Sequence, residues 1–171
     1  MKTKTGWFAQ LSLFTILMVQ IVFVPEMNAQ APGDSGVAWV SYTEATENAE
    51  SDQKTLMLFL EAEWCTVCKR MHREVFTDES VIEALNTHFY PVRLDIESND
   101  KIQVKGKKIS IKEFSKKIGV YGTPTILFLD EEEDIIGNFV GYSDEKDLLK
   151  LLNYIESEAY LSESMEGFSY Q

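Results

Sequence analysis

The chain has 171 residues, 44% of them hydrophobic, with 16 basic and 28 acidic side chains and a formal net charge of −12. Such acidity argues against general nucleic-acid binding, and the presence of only two cysteines excludes a scaffold of several disulfides. With the ends set aside, about 120 residues remain, enough for one hydrophobic core.

Lys2 and Lys4 precede a largely apolar stretch from Trp7 to Val24 that Pro25 interrupts, the pattern of an export signal. Residues 1–29 are read as a signal peptide cut after Ala29, with an uncleaved membrane anchor as the alternative. Gln10, Ser12, Thr15 and Gln20 dilute the stretch and favour cleavage. A flexible segment follows over 30–36, then a folded domain over 37–157, then an acidic flexible tail over 158–171. The mature protein is expected outside the cytosol, in the periplasm if the source is Gram-negative.

Within the domain, Val37 to Val40 suggests a short first strand and Thr43 to Asp52 a polar helix. Leu56 to Leu60 is a continuous apolar run, the mark of a strand buried on both faces. A helix is predicted from the cysteines to about Val75, and a second, capped by Thr77 or Asp78, through Val81, Ile82 and Leu85. Tyr90 to Ile96 reads as the next strand. Ile102 to Val104 and Lys108-Ile109, around Gly106, suggest a small hairpin or loop insertion. Ser110-Ile111-Lys112-Glu113 then has the capping-box pattern and opens a helix to Ile118. Ile126 to Leu129 and Ile135 to Val140 are strands joined by the acidic turn Glu131-Glu132-Glu133-Asp134. In the last helix, Asp144 to Ser157, Leu148, Leu151, Leu152 and Ile155 share one face.

The chemistry is concentrated in Trp64-Cys65-Thr66-Val67-Cys68-Lys69, directly after the central strand. Two cysteines three residues apart in the first turn of a helix can bring their sulfurs within disulfide reach, and the helix N-terminus favours a thiolate. Cys65, expected to be the more exposed, is the nucleophile, and Cys68 resolves the mixed disulfide. A structural zinc site would need further ligands, but there is no second cysteine pair and the only histidines are His72 and His88. Haem attachment would need His directly after Cys68, where Lys69 stands. A disulfide closing so short a loop contributes little as a structural staple.

Together with Gly119-Val120-Tyr121-Gly122-Thr123-Pro124-Thr125 and the apolar strand after it, this motif resembles the thioredoxin superfamily from about Trp39 to Ile155. The resemblance is greatest to exported thioredoxin-like proteins, including the sulfur-oxidation-associated type and the C-terminal domain of the membrane disulfide reductase. It implies an α/β fold with a mixed central sheet flanked by helices, here with a small insertion before the helix leading to the cis-proline. It also implies that Pro124 is cis beside the dithiol and that Thr123 and Pro124 bind substrate backbone, with Trp64 offering an apolar surface.

One departure concerns the acid that many thioredoxins bury six residues before the first cysteine, because Phe59 occupies that place. Glu61 lies on the same strand face and is a candidate for relaying protons through water, or else a surface residue at the strand end. His72, one helical turn beyond Cys68, is a candidate tuner of that thiol, and Lys69 and Arg70 of a nearby thiolate. His72 also reads as a partly exposed helix histidine without a redox role, and the two basic residues as an ordinary helix surface.

The function expected is exported thiol-disulfide exchange on protein disulfides through Cys65 and Cys68, without a metal or other cofactor, by a monomer. Reduction is the favoured direction by resemblance, with a membrane-embedded thiol carrier as electron donor. The alternatives are a thiol oxidase, a copper(I)-handling protein using both cysteines with His72, and a redox-inactive interaction domain. Residues 101–117 carry seven lysines and one acid. That cluster reads either as a docking surface for an acidic partner or as a solvated face.

Overall fold

The computed structural model describes residues 36–168. The signal peptide expected over 1–29, its alternative as an anchor, most of the segment 30–36 and the last three residues of the tail lie outside the described residues. Among the described residues, no helix is long and apolar enough to cross a membrane.

In chain order the elements are α1 (Tyr42–Asp52), β1 (Thr55–Glu61), α2 (Thr66–Glu74), α3 (Glu79–His88), β2 (Phe89–Asp95), β3 (Lys101–Val104), β4 (Lys107–Ser110), α4 (Ile111–Lys117), β5 (Thr125–Leu129), β6 (Ile135–Val140) and α5 (Glu145–Glu156). The helices start where short polar side chains satisfy free amides. Ser41, Asp78, Ser110 and Asp144 accept N–H groups of α1, α3, α4 and α5 respectively. Asp78 rather than Thr77 caps α3. The Ser110 cap forms with the Glu113 amide, while the Glu113 carboxylate pairs with Lys117 at 2.9 Å.

Four strands form one sheet in the order β2-β1-β5-β6, with β1 parallel to β2 and the other neighbours antiparallel. β1 lies centrally, and Leu56 to Leu60 are fully buried because helices cover both faces. Met57 and Phe59 belong to one core with Met71 of α2, Val81 and Leu85 of α3, and Leu148 to Ile155 of α5. Leu56, Leu58 and Leu60 belong to the other, with Ala45 and Ala49 of α1, Phe114 of α4 and Ile102 of the β3–β4 hairpin. The two-residue period of the strand thus supplies both cores. This is the mixed, helix-flanked sheet expected from the sequence.

The first strand expected over Val37 to Val40 shrinks to one bridge, Val40 to Val92, with the Val40 N–H donating to the Pro91 carbonyl at 2.9 Å. The preceding rung would need an amide donor from Pro91, which has none. Ala38 N–H turns instead to Asn86 Oδ1 at 2.8 Å.

The segment read as a flexible tail from residue 158 contains a 3-10 turn, Ala159–Leu161, directly after α5. Tyr154 of α5 donates its hydroxyl to the Glu163 carbonyl at 2.6 Å and packs on the Phe168 ring at 5.3 Å. The start of that segment therefore folds back on the last helix.

Candidate active site

After Glu61 the chain turns, with the Cys65 N–H donating to the Ala62 carbonyl at 2.9 Å, and α2 begins. Cys65 is the N-cap of that helix, and its Sγ accepts the Cys68 N–H at 3.0 Å. A disulfide joins Cys65 and Cys68, whose Cα atoms are 5.3 Å apart. Cys65 is 3% exposed and Cys68 1%, so solvent access barely separates them. Position on the helix does separate them, because only the Cys65 sulfur faces a free amide at the positive end of the helix dipole.

The second motif is brought to the same place by strand register. β1 and β5 run antiparallel with Leu60 opposite Thr125, so Pro124 follows beside Glu61, at the sheet end from which α2 departs. The Thr123-Pro124 peptide is cis, Pro124 is buried, and its carbonyl accepts the Gly141 N–H at 2.9 Å. Thr125 Oγ1 donates to the Gly122 carbonyl at 2.9 Å, closing the turn. Thr123 Oγ1 is buried with no hydrogen-bond partner.

Trp64 is 61% exposed, which rules out a core-filling part. Its Nε1 donates to Glu97 Oε2 at 3.0 Å, fixing the indole to the loop after β2. Sequence reasoning missed Glu97, since nothing local ties it to a tryptophan 33 residues away. Tyr121, beside the cis-proline, is 85% exposed and adds a second aromatic at this end of the sheet.

Glu61 and Phe59 share a face, as the strand period predicts, and both meet His72 beneath α2. His72 Nε2 lies 2.7 Å from Glu61 Oε2, while Arg93 of β2 holds Glu61 Oε1 with Nη2 at 2.6 Å and Nε at 2.8 Å. Burial pushes the Glu61 carboxyl up, but hydrogen bonds from His72 and Arg93 and their charges outweigh it and hold the group below the usual carboxylate range. A carboxylate kept ionised with both oxygens engaged is a poor proton carrier and a good orienting charge. The imidazole sits among the rings of Phe59, Phe76 and Trp39, at 5.3, 5.4 and 6.0 Å. Arg93 was not foreseen, because only the parallel pairing of β1 with β2 places it opposite Phe59 and next to Glu61.

Of the basic pair after Cys68, Arg70 is committed elsewhere: it bonds Glu74 at 2.6 Å and stacks 4.2 Å over the Tyr142 ring. Lys69 is exposed and has no ion pair among the described residues. His72 turns to Glu61 and not to the cysteines, and the described residues hold no cluster of three or more His, Cys, Asp or Glu suited to a metal.

A family model for the thioredoxin-like domain matches residues 42–156. The thiol:disulfide interchange protein DsbD of Campylobacter jejuni is 26% identical over 110 residues, 64% of this chain but 18% of that protein. The chain thus spans under a fifth of that relative. Disulfide bond reductase DsbH of Chlamydia pneumoniae is 25% identical over 99 residues, 57% of this chain and 59% of that protein. Among solved structures, a candidate disulphide-isomerase from Bacteroides thetaiotaomicron is 32% identical, with TM-score 0.58 over 75% of this chain and 97% of that one. A Thermus thermophilus thioredoxin aligns with TM-score 0.61 over 80% of this chain and 99% of that one; at 21% identity it speaks to the fold alone. The domain match, the mixed sheet and the cysteine pair at the start of α2 agree, and the chain belongs to the thioredoxin-like domain family.

Proposed function

We propose that the chain is a thiol-disulfide oxidoreductase that reduces protein disulfides outside the cytosol. The observation that carries this reading is the Cys65–Cys68 disulfide at the N-terminus of α2, at the sheet end shared with the Thr123-Pro124 loop. Relatives named for thiol:disulfide interchange and for disulfide bond reduction support it.

In the reduced protein, the Cys68 N–H and the dipole of α2 favour the Cys65 thiolate. That thiolate attacks one sulfur of a substrate disulfide, releases the other as a thiolate and forms a mixed disulfide. Cys68 loses its proton and attacks Cys65 Sγ, releasing the second substrate thiolate. Two electrons pass to the substrate, both substrate sulfurs take up protons, and the chain is left with its own disulfide. Trp64 and the Thr123-Pro124 backbone receive the substrate segment. The Arg93–Glu61–His72 chain acts as a positioning group, seating α2 on the sheet one turn beyond Cys68. An exported reductant needs its electrons restored, and a membrane-embedded dithiol carrier fits that need, since the outer compartment lacks a comparable reducing pool.

The deciding experiment is equilibration of residues 30–171 with dithiothreitol or glutathione buffers, followed by thiol trapping. A potential near that of thioredoxin, about −270 mV, is expected; one near about −120 mV would make the protein an oxidant instead. Absence of a reversible disulfide would defeat the redox reading, and stoichiometric copper(I) retention would then take its place.

A further inference from the structure

Helices cover the two faces of the sheet unevenly. α4 has only seven residues, and the core beneath it takes side chains from β1, β2 and β5 but none from β6. Ile135, Asn138 and Val140 of β6 are therefore exposed on that face, while Ile136 and Phe139 pack on the core that α5 covers. The two edges of the sheet also differ in charge. β2 carries Arg93 and Asp95, the kind of side chain that guards an edge strand against unwanted contacts, whereas residues 135–142 hold no charged side chain at all. An exposed apolar edge kept free of charge marks a contact surface.

A groove of about 330 Å³ lies on this uncovered face. Thr125 and Leu127 of β5 are its buried floor, Ile118 and Val120 after α4 line one side, and Asn138 and Val140 the other. None of the residues lining it is charged. Its upper end is the cis-proline turn itself: Tyr121, Gly122 and Thr125 belong to both. Val140 pairs with Thr125 and precedes Gly141, whose N–H bonds the Pro124 carbonyl. Gly122 is exposed, and the space a side chain would fill there is open, so a polypeptide can cross the turn at that point. Of six large apolar side chains exposed among the described residues, Trp64 and Val67 flank the cysteines, and Tyr121, Val140 and Ile135 border the groove. The exposed apolar surface thus starts at the disulfide and continues past the turn.

We infer that this groove is a second subsite for the substrate polypeptide, which takes apolar side chains a few residues from the substrate cysteine, with Tyr121 and Val140 as its specificity-determining residues. The inference rests on the reductase reading and names the class of disulfide it favours, one in an extended segment bearing Leu, Ile or Phe. Such a segment is exposed in an incompletely folded protein and hidden in a folded one. Continuity commits the groove to this occupant. A polypeptide held at Thr123-Pro124 already lies against Gly122 and Tyr121, so its freedom is lost at the first site and the groove adds apolar burial alone. Leu127 is two residues, about 7 Å, along β5 from Thr125, so the side chain that reaches it stands roughly three to five residues from the reacting cysteine of an extended chain.

The test uses residues 30–171, reduced beforehand, and two twelve-residue peptides of Gly, Ser and Thr, each with a central Cys joined in a disulfide to free cysteine. One peptide carries Leu-Phe pairs four residues from its Cys on either side, the other has Ser in their place, and oxidised glutathione is the reference. In single turnovers followed by thiol trapping, the second-order rate constant should be at least about tenfold higher for the apolar peptide, roughly the worth of one buried Leu or Phe side chain. Val140→Lys and Tyr121→Ser should each remove most of that preference, and Leu161→Lys, on the turn after α5, should keep it. All three change exposed side chains, and circular dichroism checks that they fold. The inference is overturned if the wild-type chain reduces both peptides alike, if either groove variant keeps the preference, or if Leu161→Lys loses it as well. It is also overturned if the wild-type chain sediments as a dimer that Val140→Lys dissociates, which assigns the face to a second copy. Reduction of oxidised glutathione without discrimination between the peptides defeats this inference alone, whereas no reduction of any of the three disulfides defeats the reductase reading and the subsite with it.

Discussion

The two faces of the sheet are built from alternate residues of one strand and have taken opposite attitudes to charge. On the face of Met57 and Phe59, charge is drawn inward: Arg93, Glu61 and His72 form a chain from β2 through β1 to α2, closed over by aromatic rings, and the cysteines share that core. On the face of Leu56, Leu58 and Leu60, charge is kept outside: the core is apolar and the lysines of the hairpin and α4 ring it. A partly buried carboxylate is tolerable only when its partners are in place, and both oxygens of Glu61 are engaged where α2 meets the sheet. An exposed charge keeps its reach, so the second face is suited to attraction at a distance.

The sharpest break in that symmetry concerns turnover. Cys65→Ser should abolish reduction of an insulin disulfide, while Cys68→Ser should accumulate a mixed disulfide through Cys65, visible on non-reducing gels. Trapping through Cys68 in place of Cys65 would reverse the assigned order of attack.

Core truncations compare the faces directly. Phe59→Ala should cost about 3–5 kcal/mol and Leu58→Ala about 2–5 kcal/mol in urea unfolding, both through cavities in fully buried sites. Only Phe59→Ala should also shift the reduction potential, because its ring supports His72 under α2. Equal shifts from both variants would erase the distinction between the faces.

A subtler separation comes from pH. The folded Glu61 carboxyl titrates below its ordinary value, so the stability it lends is complete above roughly pH 4.3 and is lost as pH falls through its lowered folded-state pKa. Glu61→Gln should flatten that part of the acid limb and cost about 2 kcal/mol at neutral pH, since it leaves Arg93 and His72 with a neutral partner. An acid limb of unchanged steepness in the variant would show that the carboxylate is not the group being protonated.

The smallest effect belongs to the outer face. Glu113→Gln breaks an exposed ion pair with Lys117 and should leave the unfolding midpoint nearly unchanged. A larger loss would mean that the lysine-rich helix depends on its one acid for more than a surface contact.

Much of the site was legible before any coordinates. The apolar run to Leu60, the cysteine spacing and the Thr123-Pro124 turn are local patterns, and each gave the correct element within a residue or two. The β3–β4 hairpin was visible as apolar pairs around Gly106, whose φ of 75° suits a residue without a side chain. The first strand was overread because Val37 to Val40 has strand composition, whereas the missing donor that limits it belongs to Pro91, half a domain away. Trp64 is expected from the resemblance to offer an apolar surface, but its anchor Glu97, in the loop after β2, is set by the fold alone.

By itself, then, the sequence determined the order and type of the elements, the pairing of the two cysteines on one helical turn and the concentration of lysines in one short stretch, because periodicity, capping and charge runs act over a few residues. Tertiary structure alone decided the rest. It turned Glu61 from a candidate proton carrier into a fixed carboxylate between Arg93 and His72, and brought the 130–134 turn onto the hairpin, where Glu133 accepts the Lys105 N–H and Asp134 pairs with the Lys105 ammonium. Those outcomes join residues far apart in the chain, through strand register and packing that no local pattern encodes.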